Sequence, residues 1–363
     1  MGREELLDLY SDYLLYSTEQ TTATGLSQLL DGAISHDKIS RLLSSESFDE
    51  KTLWKKIKKL VRAYEEENAC LIFDDTIIEK PYMDENEIIC WHYDHTEGKA
   101  VKGINLLSAF YNSERNGFTL RLPIGYRIIA KTEEYTDEKS GEVRRKSSLT
   151  KNEMMQEMIK RQIQNQVKFR YILADSWFSS AENMRFIAKK EKVFIFELKE
   201  NRLVVDNEKA RNLGIFERLE HKVIPEERPI KVWIKDLEFP VIVYRQVFRN
   251  KDGTSGQRFL VTNDLTLSDE QFRTLYKKRW SVEEYHKSLK QNASIGSSPA
   301  HTEKTQSNHI FASMYVYVKL EKIKLSTGLN HFAFKTRIYM EALKTARTAF
   351  QNLWTSTQNY AFS

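Results

Sequence analysis

Acidic side chains occur at three distant positions of the sequence where a folded core could gather them. Asp74 and Asp175 each follow a short apolar run, residues 70–73 and 169–174, and Glu283 lies 108 residues beyond Asp175. Both runs are typical of buried strands that end in carboxylates, and strand ends lie at the edge of a sheet. Three carboxylates suit a pair of Mg²⁺ ions that activate a water or a 3′-hydroxyl for phosphoryl transfer. The pattern therefore predicts a metal-dependent site.

Glu283 belongs to a second group of polar residues in the stretch YKKRWSVEEYHKSLK, residues 276–290. Tyr276, Arg279, Glu283 and Lys290 stand at offsets 0, 3, 7 and 14, which places all four on one face of a continuous helix. The carboxylate of such a face can hold a divalent cation while the hydroxyl and the two cations contact phosphate oxygens. The alternative is a solvated helix with intrahelical ion pairs.

The elements around these residues predict an α/β fold with a mixed-sheet core. Apolar runs in an antiparallel meander surround Asp74, and a strand–helix–strand pattern surrounds Asp175 and implies a parallel pair. Capping-box patterns at Thr150 and Ser268 mark the starts of two helices. We predict a helical amino-terminal DNA-binding region at 1–68, a catalytic core at 69–198 and 267–325, a β-rich insertion at 199–266 and a helical carboxy-terminal region at 326–363.

The amino-terminal region contains two short helical patterns with the spacing of a helix-turn-helix. Residues 24–32 read as a helix stopped by glycine, and Ser35 then caps a helix over residues 36–43. Lys38 and Arg41 occupy polar positions of this second helix, so it is a candidate for insertion into a DNA groove. A plain helical hairpin explains the same pattern.

Composition limits the class of protein without selecting a function. The 363 residues are 40% apolar, which indicates a globular chain, and 56 basic against 51 acidic residues give a net charge of +5. This mild excess permits nucleic-acid binding without demanding it. The two cysteines, Cys70 and Cys90, predict buried thiols in a reducing compartment. Since no signal peptide or membrane span is recognisable, a cytoplasmic, nucleoid-associated protein with no membrane partner is expected.

Taken together, these motifs resemble those of bacterial insertion-sequence transposases of the DDE type, which have an RNase H-like fold. The group in question carries a Tyr-x2-Arg-x3-Glu-x6-Lys signature, matched here by the four residues of the 276–290 stretch. Its first motif, an apolar strand followed by Asp-x-Thr, matches Asp74-Asp75-Thr76. Its second matches Asp175, which precedes Ser176-Trp177-Phe178. The resemblance covers nearly the whole chain, including the β-rich insertion.

The resemblance implies that Asp74, Asp175 and Glu283 form the catalytic triad and bind Mg²⁺, with Mn²⁺ as a substitute. It also implies DNA phosphate contacts for Tyr276, Arg279 and Lys290. Related enzymes cut an element free at its terminal inverted repeats through a hairpin on its ends. They then join the 3′ ends to target DNA, as a homodimer on double-stranded DNA. The insertion often supplies an aromatic residue that holds a flipped base, and Trp233 is the candidate here.

Two residue assignments and two functions stay open at this point. Asp75 is an alternative to Asp74 as the first ligand, although the Asp-x-Thr register favours Asp74. Glu284 is off the face of Glu283 by roughly 100° and is expected to point elsewhere. The alternative functions are an inactive or domesticated copy that binds DNA as a repressor, and an RNase H-like nuclease or resolvase without strand transfer.

Overall fold

The structure is a computed structural model that describes residues 1–94, 98–138, 140–226, 228–249 and 253–360. It divides into two compact units. One consists of residues 50–284, and the other combines residues 1–49 with the described part from Tyr285 onward. All three predicted carboxylates lie in the 50–284 unit, so this unit positions the candidate site.

Strands dominate the unit of residues 50–284. In chain order they are β1 Cys70–Glu79, β2 Cys90–Asp94, β3 Lys99–Arg115, β4 Phe118–Ile128, β5 Glu133–Thr136, β6 Val143–Lys146, β7 Tyr171–Ala174, β8 Val193–Leu198, β9 Leu203–Val205, β10 Glu217–Arg218, β11 Ile230–Ile234, β12 Val241–Arg249 and β13 Ser255–Thr262. In the described ranges, eleven of them form one mixed sheet in the order β10-β9-β11-β12-β13-β8-β7-β1-β3-β2, with β4 paired to β3, and β5 and β6 form a separate hairpin.

Helices make up most of the remaining described chain. They are α1 Arg3–Tyr16, α2 Ala23–Leu29, α3 His36–Ser45, α4 Glu50–Tyr64, α5 Lys151–Gln164, α6 Ala181–Lys189, α7 Glu208–Asn212, α8 Asp269–Lys277, α9 Trp280–Asn292, α10 Glu303–Thr327 and α11 His331–Tyr360. Helices α4 and α5 pack on β3 and β4, and α6 and α8 pack on β8. The capping boxes predicted at Thr150 and Ser268 both form, which confirms the starts of α5 and α8.

The middle of the sheet is the parallel trio β1, β7 and β8. Strand β7 pairs in parallel with β1 on one side and β8 on the other, and every residue of Tyr171–Ala174 is buried. This continuous apolar pattern is expected of a parallel strand covered on both faces. The pairing confirms the predicted strand–helix–strand unit and the mixed α/β fold class. The strands β9 to β13 continue the same sheet, because β13 pairs antiparallel with β8.

Three local predictions were wrong. Strand β1 does not end at Asp74 but continues to Glu79, because the long strand β3 pairs with it along its whole length. The pattern Ser179-x-x-Glu182 predicts a helix capped by Ser179, but the N-cap of α6 is Ser180. The helix through the 276–290 stretch is interrupted at Lys278 and Arg279, where hydrogen bonds shift to the tighter i to i+3 pattern.

Ser281 explains the interruption between α8 and α9. Its hydroxyl donates to the backbone carbonyl of Lys278 at 2.6 Å, and it accepts from the Asn112 side chain at 3.1 Å. Serine hydroxyls that bond back to the preceding turn compete with the backbone and bend helices. The offsets of the four signature residues therefore do not describe one regular helical face.

The second unit is helical, and α10 is its central element. His309 on α10 is fully buried and contacts the Tyr10 hydroxyl at 2.9 Å and the Ser294 carbonyl at 2.9 Å. Asn308 donates to the carbonyls of Leu43 and Glu46, which end α3. Helix α10 is mostly buried, and none of the helices in the described ranges has the length and hydropathy needed to cross a membrane.

Candidate active site

The strand register brings Asp74 and Asp175 to the same level of the sheet. Strands β1 and β7 run parallel with Ile72 opposite Leu173, so two residues further along each strand stand Asp74 and Asp175. Strand β7 ends at Ala174, whereas β1 continues. Asp175 thus begins the loop at the carboxyl end of its strand, beside a strand that runs past it. This is the sheet edge where ligands bind in parallel α/β folds.

Burial and mutual repulsion act on the two aspartates together. Burial, reinforced by the charge of Asp175, raises the pKa of Asp74 to about 8. Burial also raises the pKa of Asp175, against a hydrogen bond of 2.9 Å from the Trp177 backbone N–H to its Oδ1. Two neighbouring carboxylates in a desolvated position disfavour each other's ionisation. The pair therefore requires positive charge to be fully ionised at neutral pH.

Arg279 supplies positive charge to this acidic group. The residue is only 8% exposed, and its Nη2 donates to Oε1 of Glu283 at 2.7 Å. Its charge lowers the pKa of both Asp74 and Asp175, which places it within electrostatic reach of each. Burial opposes this charge, but the surrounding acidic groups keep the pKa of Arg279 above its ordinary value. Arg279 thus links the two aspartates electrostatically to Glu283.

A fourth carboxylate, Glu197, belongs to the same region and was missed in the sequence. Strands β7 and β8 are parallel with Ala174 opposite Phe196, so Glu197 stands next to Asp175. Tyr276 is almost fully buried, and its hydroxyl donates to Oε2 of Glu197 at 3.2 Å. The available signal was an acidic residue inside the otherwise apolar run of residues 193–198. The strand–helix–strand pattern predicted that this run pairs with the Asp175 strand, but it did not give the register that sets Glu197 beside Asp175.

Asp75 and Glu284, the acidic neighbours of Asp74 and Glu283 in the sequence, point away from the site. Asp75 forms an ion pair of 2.7 Å with Lys151, since successive strand residues face opposite sides of a sheet. Glu284 is exposed and pairs with Arg121 at 2.7 Å, which confirms the expectation that it leaves the face of Glu283. These contacts support Asp74 and Glu283 as the site residues.

The aromatic residues near the site differ from one another in exposure and contacts. Trp177 is 47% exposed, two residues after Asp175, with the ammonium groups of Lys151 and Lys199 at 5.3 and 5.7 Å from its ring. The adjacent Phe178 is fully buried. The sequence favours packing over base stacking for both residues, which the structure confirms for Phe178 and not for Trp177. Trp233, the candidate for base contact, lies on β11 opposite Val205 of β9, with the Lys231 ammonium 5.4 Å from its ring.

The other predicted DNA contacts lie in the helical unit. Lys38 and Arg41 are exposed on α3, whose opposite face buries Ile39, Leu42 and Leu43. Helix α2 packs against α3, with Thr22 and Ser35 as their N-caps. Lys290 is exposed on the part of α9 that belongs to this unit. The 50–284 unit therefore gathers Asp74, Asp175, Arg279, Glu283 and Tyr276, whereas these three cations belong to the other unit.

Comparison with models of protein families shows which family the chain belongs to. The model of the DDE superfamily endonuclease matches residues 2–211, more than half of the sequence. The chain belongs to the DDE transposase family. The transposase DDE domain model also matches, over residues 145–319. The first match includes Asp74 and Asp175, and the second includes Asp175 and Glu283. No curated protein matches the chain.

Membership explains the mixed α/β sheet, because DDE transposases share the RNase H-like fold that the motifs implied. DDE enzymes generally use divalent metals. In the part of this DDE chain that the structure describes, no three His, Cys, Asp or Glu side chains are grouped as a metal site. Asp74 and Asp175 nevertheless fit a divalent cation, because such an ion binds carboxylate oxygens. The two carboxylates are neighbours, are buried and lack full charge compensation. Glu283 is engaged by Arg279 instead.

Proposed function

We propose that this DDE transposase cuts an insertion sequence at its terminal inverted repeats and joins the 3′ ends to target DNA by metal-dependent phosphoryl transfer. The observation that carries the proposal is the register of β1 and β7, which sets Asp74 beside Asp175 at the carboxyl end of a parallel strand. Asp74, Asp175 and Glu283 are the proposed metal ligands and catalytic residues. Mg²⁺ is the proposed cofactor, with Mn²⁺ as its substitute.

When bound, two such ions would lower the pKa of the attacking water or hydroxyl and stabilise the leaving oxygen. The protein's own residues supply orientation and charge. Asp74 and Asp175 hold their carboxylates on adjacent strands of a rigid sheet, which limits the cost of arranging them. Arg279 balances part of their charge, and Tyr276 is held by Glu197 beside them. Glu283 would become available as a ligand by exchanging its contact with Arg279.

The proposed DNA contacts divide into exposed and buried groups. Lys38, Arg41 and Lys290 are exposed, and within the described chain none of them forms an ion pair, so they can meet phosphates directly. Tyr276 and Arg279 are buried, so we propose that they contact only the phosphate that enters the site. The helices of residues 1–68 would bind the inverted repeats, and the core at 69–198 and 267–325 would cut them.

We propose that the protein acts as a homodimer through its carboxy-terminal region, residues 326–363. Beyond Met340, α11 exposes Leu343, Phe350 and Trp354, which stand at offsets 3, 10 and 14 from Met340 and share a face. A long exposed helix with such a stripe is typical of helix pairing. Leu343→Glu with Phe350→Glu should yield monomers in sedimentation, whereas Thr345→Glu, on the other side of α11, should not. Dimers in the double variant would contradict this interface.

A cleavage assay tests the catalytic proposal. Supercoiled DNA with the flanks of the gene would be incubated with Mg²⁺ or Mn²⁺ and with wild type, Asp74→Asn, Asp175→Asn or Glu283→Gln. We expect wild type to cut at the flanks and each variant to bind without cutting. Asp75→Asn is the matched control, because the Asp75 carboxylate pairs with Lys151 instead. Cleavage by Asp175→Asn at the wild-type rate would refute the assignment.

The products separate the proposed transposase from its alternatives. Hairpin ends on a denaturing gel would support the hairpin route that the Tyr-Arg-Glu-Lys resemblance suggests. Joining of labelled 3′ ends to a target plasmid would distinguish a transposase from a nuclease or resolvase. Binding without cleavage in either metal would favour a repressor. The cytoplasmic nucleoid is the proposed place of action, because that is where bacterial DNA is found.

A further inference from the structure

A cleft between α4 and α5 shares no residue with the carboxylate site. Its lining residues are Glu50, Lys51, Trp54, Lys55, Arg161 and Asn165. Both helices pack on β4, and Arg62 of α4 donates to the backbone carbonyls of Asn165 and Gln166 at 2.6 Å each. These bonds attach α4 to the end of α5, so the walls of the cleft are fixed relative to each other.

The outer face of α4 is a basic stripe. Lys51, Lys55, Lys58 and Arg62 follow one another at i, i+4, i+7 and i+11, and Lys59 stands beside them. The opposite face is buried through Leu53, Ile57 and Val61. With a rise of 1.5 Å per residue, Lys51 and Lys58 are separated by about 10 Å along the axis. That distance corresponds to about three phosphates of one DNA strand.

The lysine charges of this stripe are not compensated by the protein, whereas Arg62 pairs with Glu65 at 2.8 Å. In the described ranges, Lys51, Lys55, Lys58 and Lys59 have no ion pair with a carboxylate, and the same holds for Arg161 of α5. The acidic residue of the cleft, Glu50, is buried and pairs with Arg127 at 2.6 Å. Uncompensated cations held at fixed spacing on a rigid helix are suited to a polyanion.

A second basic segment of the same unit differs from the α4 stripe in its ion pairs. Arg144, Arg145 and Lys146 of β6 are as basic in sequence as the α4 stripe. They form ion pairs with Asp137 and Glu142, with Glu85 and with Glu133, respectively. Their charge is therefore largely neutralised within the protein. Sequence composition does not separate the two segments, but their contacts do.

We propose that the α4–α5 cleft binds the sugar-phosphate backbone of duplex DNA independently of base sequence. The inference rests on the proposed function, because it assumes that DNA is the substrate. Lysine ammonium groups act as point charges without base-specific geometry, and phosphate contacts fix position without reading sequence. The cleft would thus hold a DNA duplex on the catalytic unit in addition to the contacts of α3.

The test measures the salt dependence of binding. The variant carries Lys51→Gln, Lys55→Gln, Lys58→Gln and Lys59→Gln, and the probe is a random-sequence 40-base-pair duplex at 50–200 mM salt. Each phosphate contact contributes about 0.9 to the slope of log K against log salt, so we expect the slope to fall by about 3–4. We expect affinity at 100 mM salt to fall at least about 100-fold. Arg161→Gln should lower the slope by about 0.9.

Lys168→Gln is the matched control, since this half-exposed lysine already pairs with Glu67 at 2.8 Å and should leave the slope unchanged. Thermal unfolding of the fourfold variant should match wild type, because the substituted side chains are exposed. A wild-type slope in the correctly folded variant would overturn the proposal, as would failure of wild type to bind the duplex at 50 mM salt. A wild type that binds steeply but never cuts would overturn the catalytic proposal alone.

Discussion

The raised pKa of Asp74 makes a quantitative prediction about stability in the absence of metal. A carboxyl whose pKa is about 8 in the folded protein and near 3.8 when unfolded binds its proton more tightly in the folded state. Its contribution to stability is therefore complete below pH 3.8 and is lost as pH rises towards 8. Each pH unit within this window is worth about 1.4 kcal/mol.

Asp74→Asn removes this dependence while it keeps the shape of the side chain. Between pH 5 and pH 8 the wild-type protein should lose about 4 kcal/mol of unfolding free energy through Asp74, a loss that the variant does not share. In EDTA, the variant should therefore gain about 4 kcal/mol relative to wild type over this interval. At 2–4 °C per kcal/mol, the melting temperatures should shift by about 10 °C relative to each other.

The assay is denaturant or thermal unfolding of both proteins at pH 5, 6.5 and 8 in EDTA. Asp75→Asn is the control, because the Asp75 carboxylate pairs with Lys151 at 2.7 Å. It should gain less than Asp74→Asn as pH rises, because the Asp75 charge only adds to the repulsion within the aspartate pair. If the difference between Asp74→Asn and wild type is the same at pH 5 and pH 8, the repulsion and desolvation inferred for the aspartate pair are refuted. Addition of Mn²⁺ should stabilise wild type at pH 8 and not Asp74→Asn.

Three further predictions concern single side chains around the site. Glu283→Gln should abolish cleavage in the plasmid assay, whereas Glu284→Gln should cleave at a rate near wild type. Equal loss in both variants would contradict the different orientations of the two side chains. Tyr276→Phe should lower the unfolding free energy by about 2 kcal/mol in urea titrations, because the Glu197 carboxylate loses the hydroxyl that donates to it. No change would mean that this hydrogen bond is not formed in solution. Trp177→Ala should weaken binding of a nicked end by about 1–3 kcal/mol and abolish quenching of a terminal 2-aminopurine, if its exposed ring stacks on a base. Quenching that is lost only in Trp233→Ala would assign the base contact to Trp233 instead.

The candidate site residues could be selected from the sequence because their local patterns are strong. Apolar runs before Asp74 and Asp175 identify buried strands without any knowledge of their partners, since each run is covered on both faces. The capping box at Ser268 starts a helix from side-chain chemistry alone. The buried thiols expected of Cys70 and Cys90 are confirmed as well.

Other features depend on contacts between distant residues and could not be read locally. The end of β1 is set by its partner β3, and the interruption before α9 is set by Ser281 and its contact with Asn112. The pairing of Tyr276 with Glu197 joins positions 79 residues apart. The periodicity of a segment does not specify any of these distant partners.

The sequence by itself determined which residues are the candidates for the chemistry, because residue type and local period set the strands, the helix starts and the spacing of the signature. Only the tertiary structure decided how those residues are charged and oriented. Strand register places Asp74 beside Asp175 and adds Glu197 to the group. Burial raises the pKa values of both aspartates. The cause is physical: desolvation and Coulomb interactions depend on distances through space, which the order of residues along the chain does not contain.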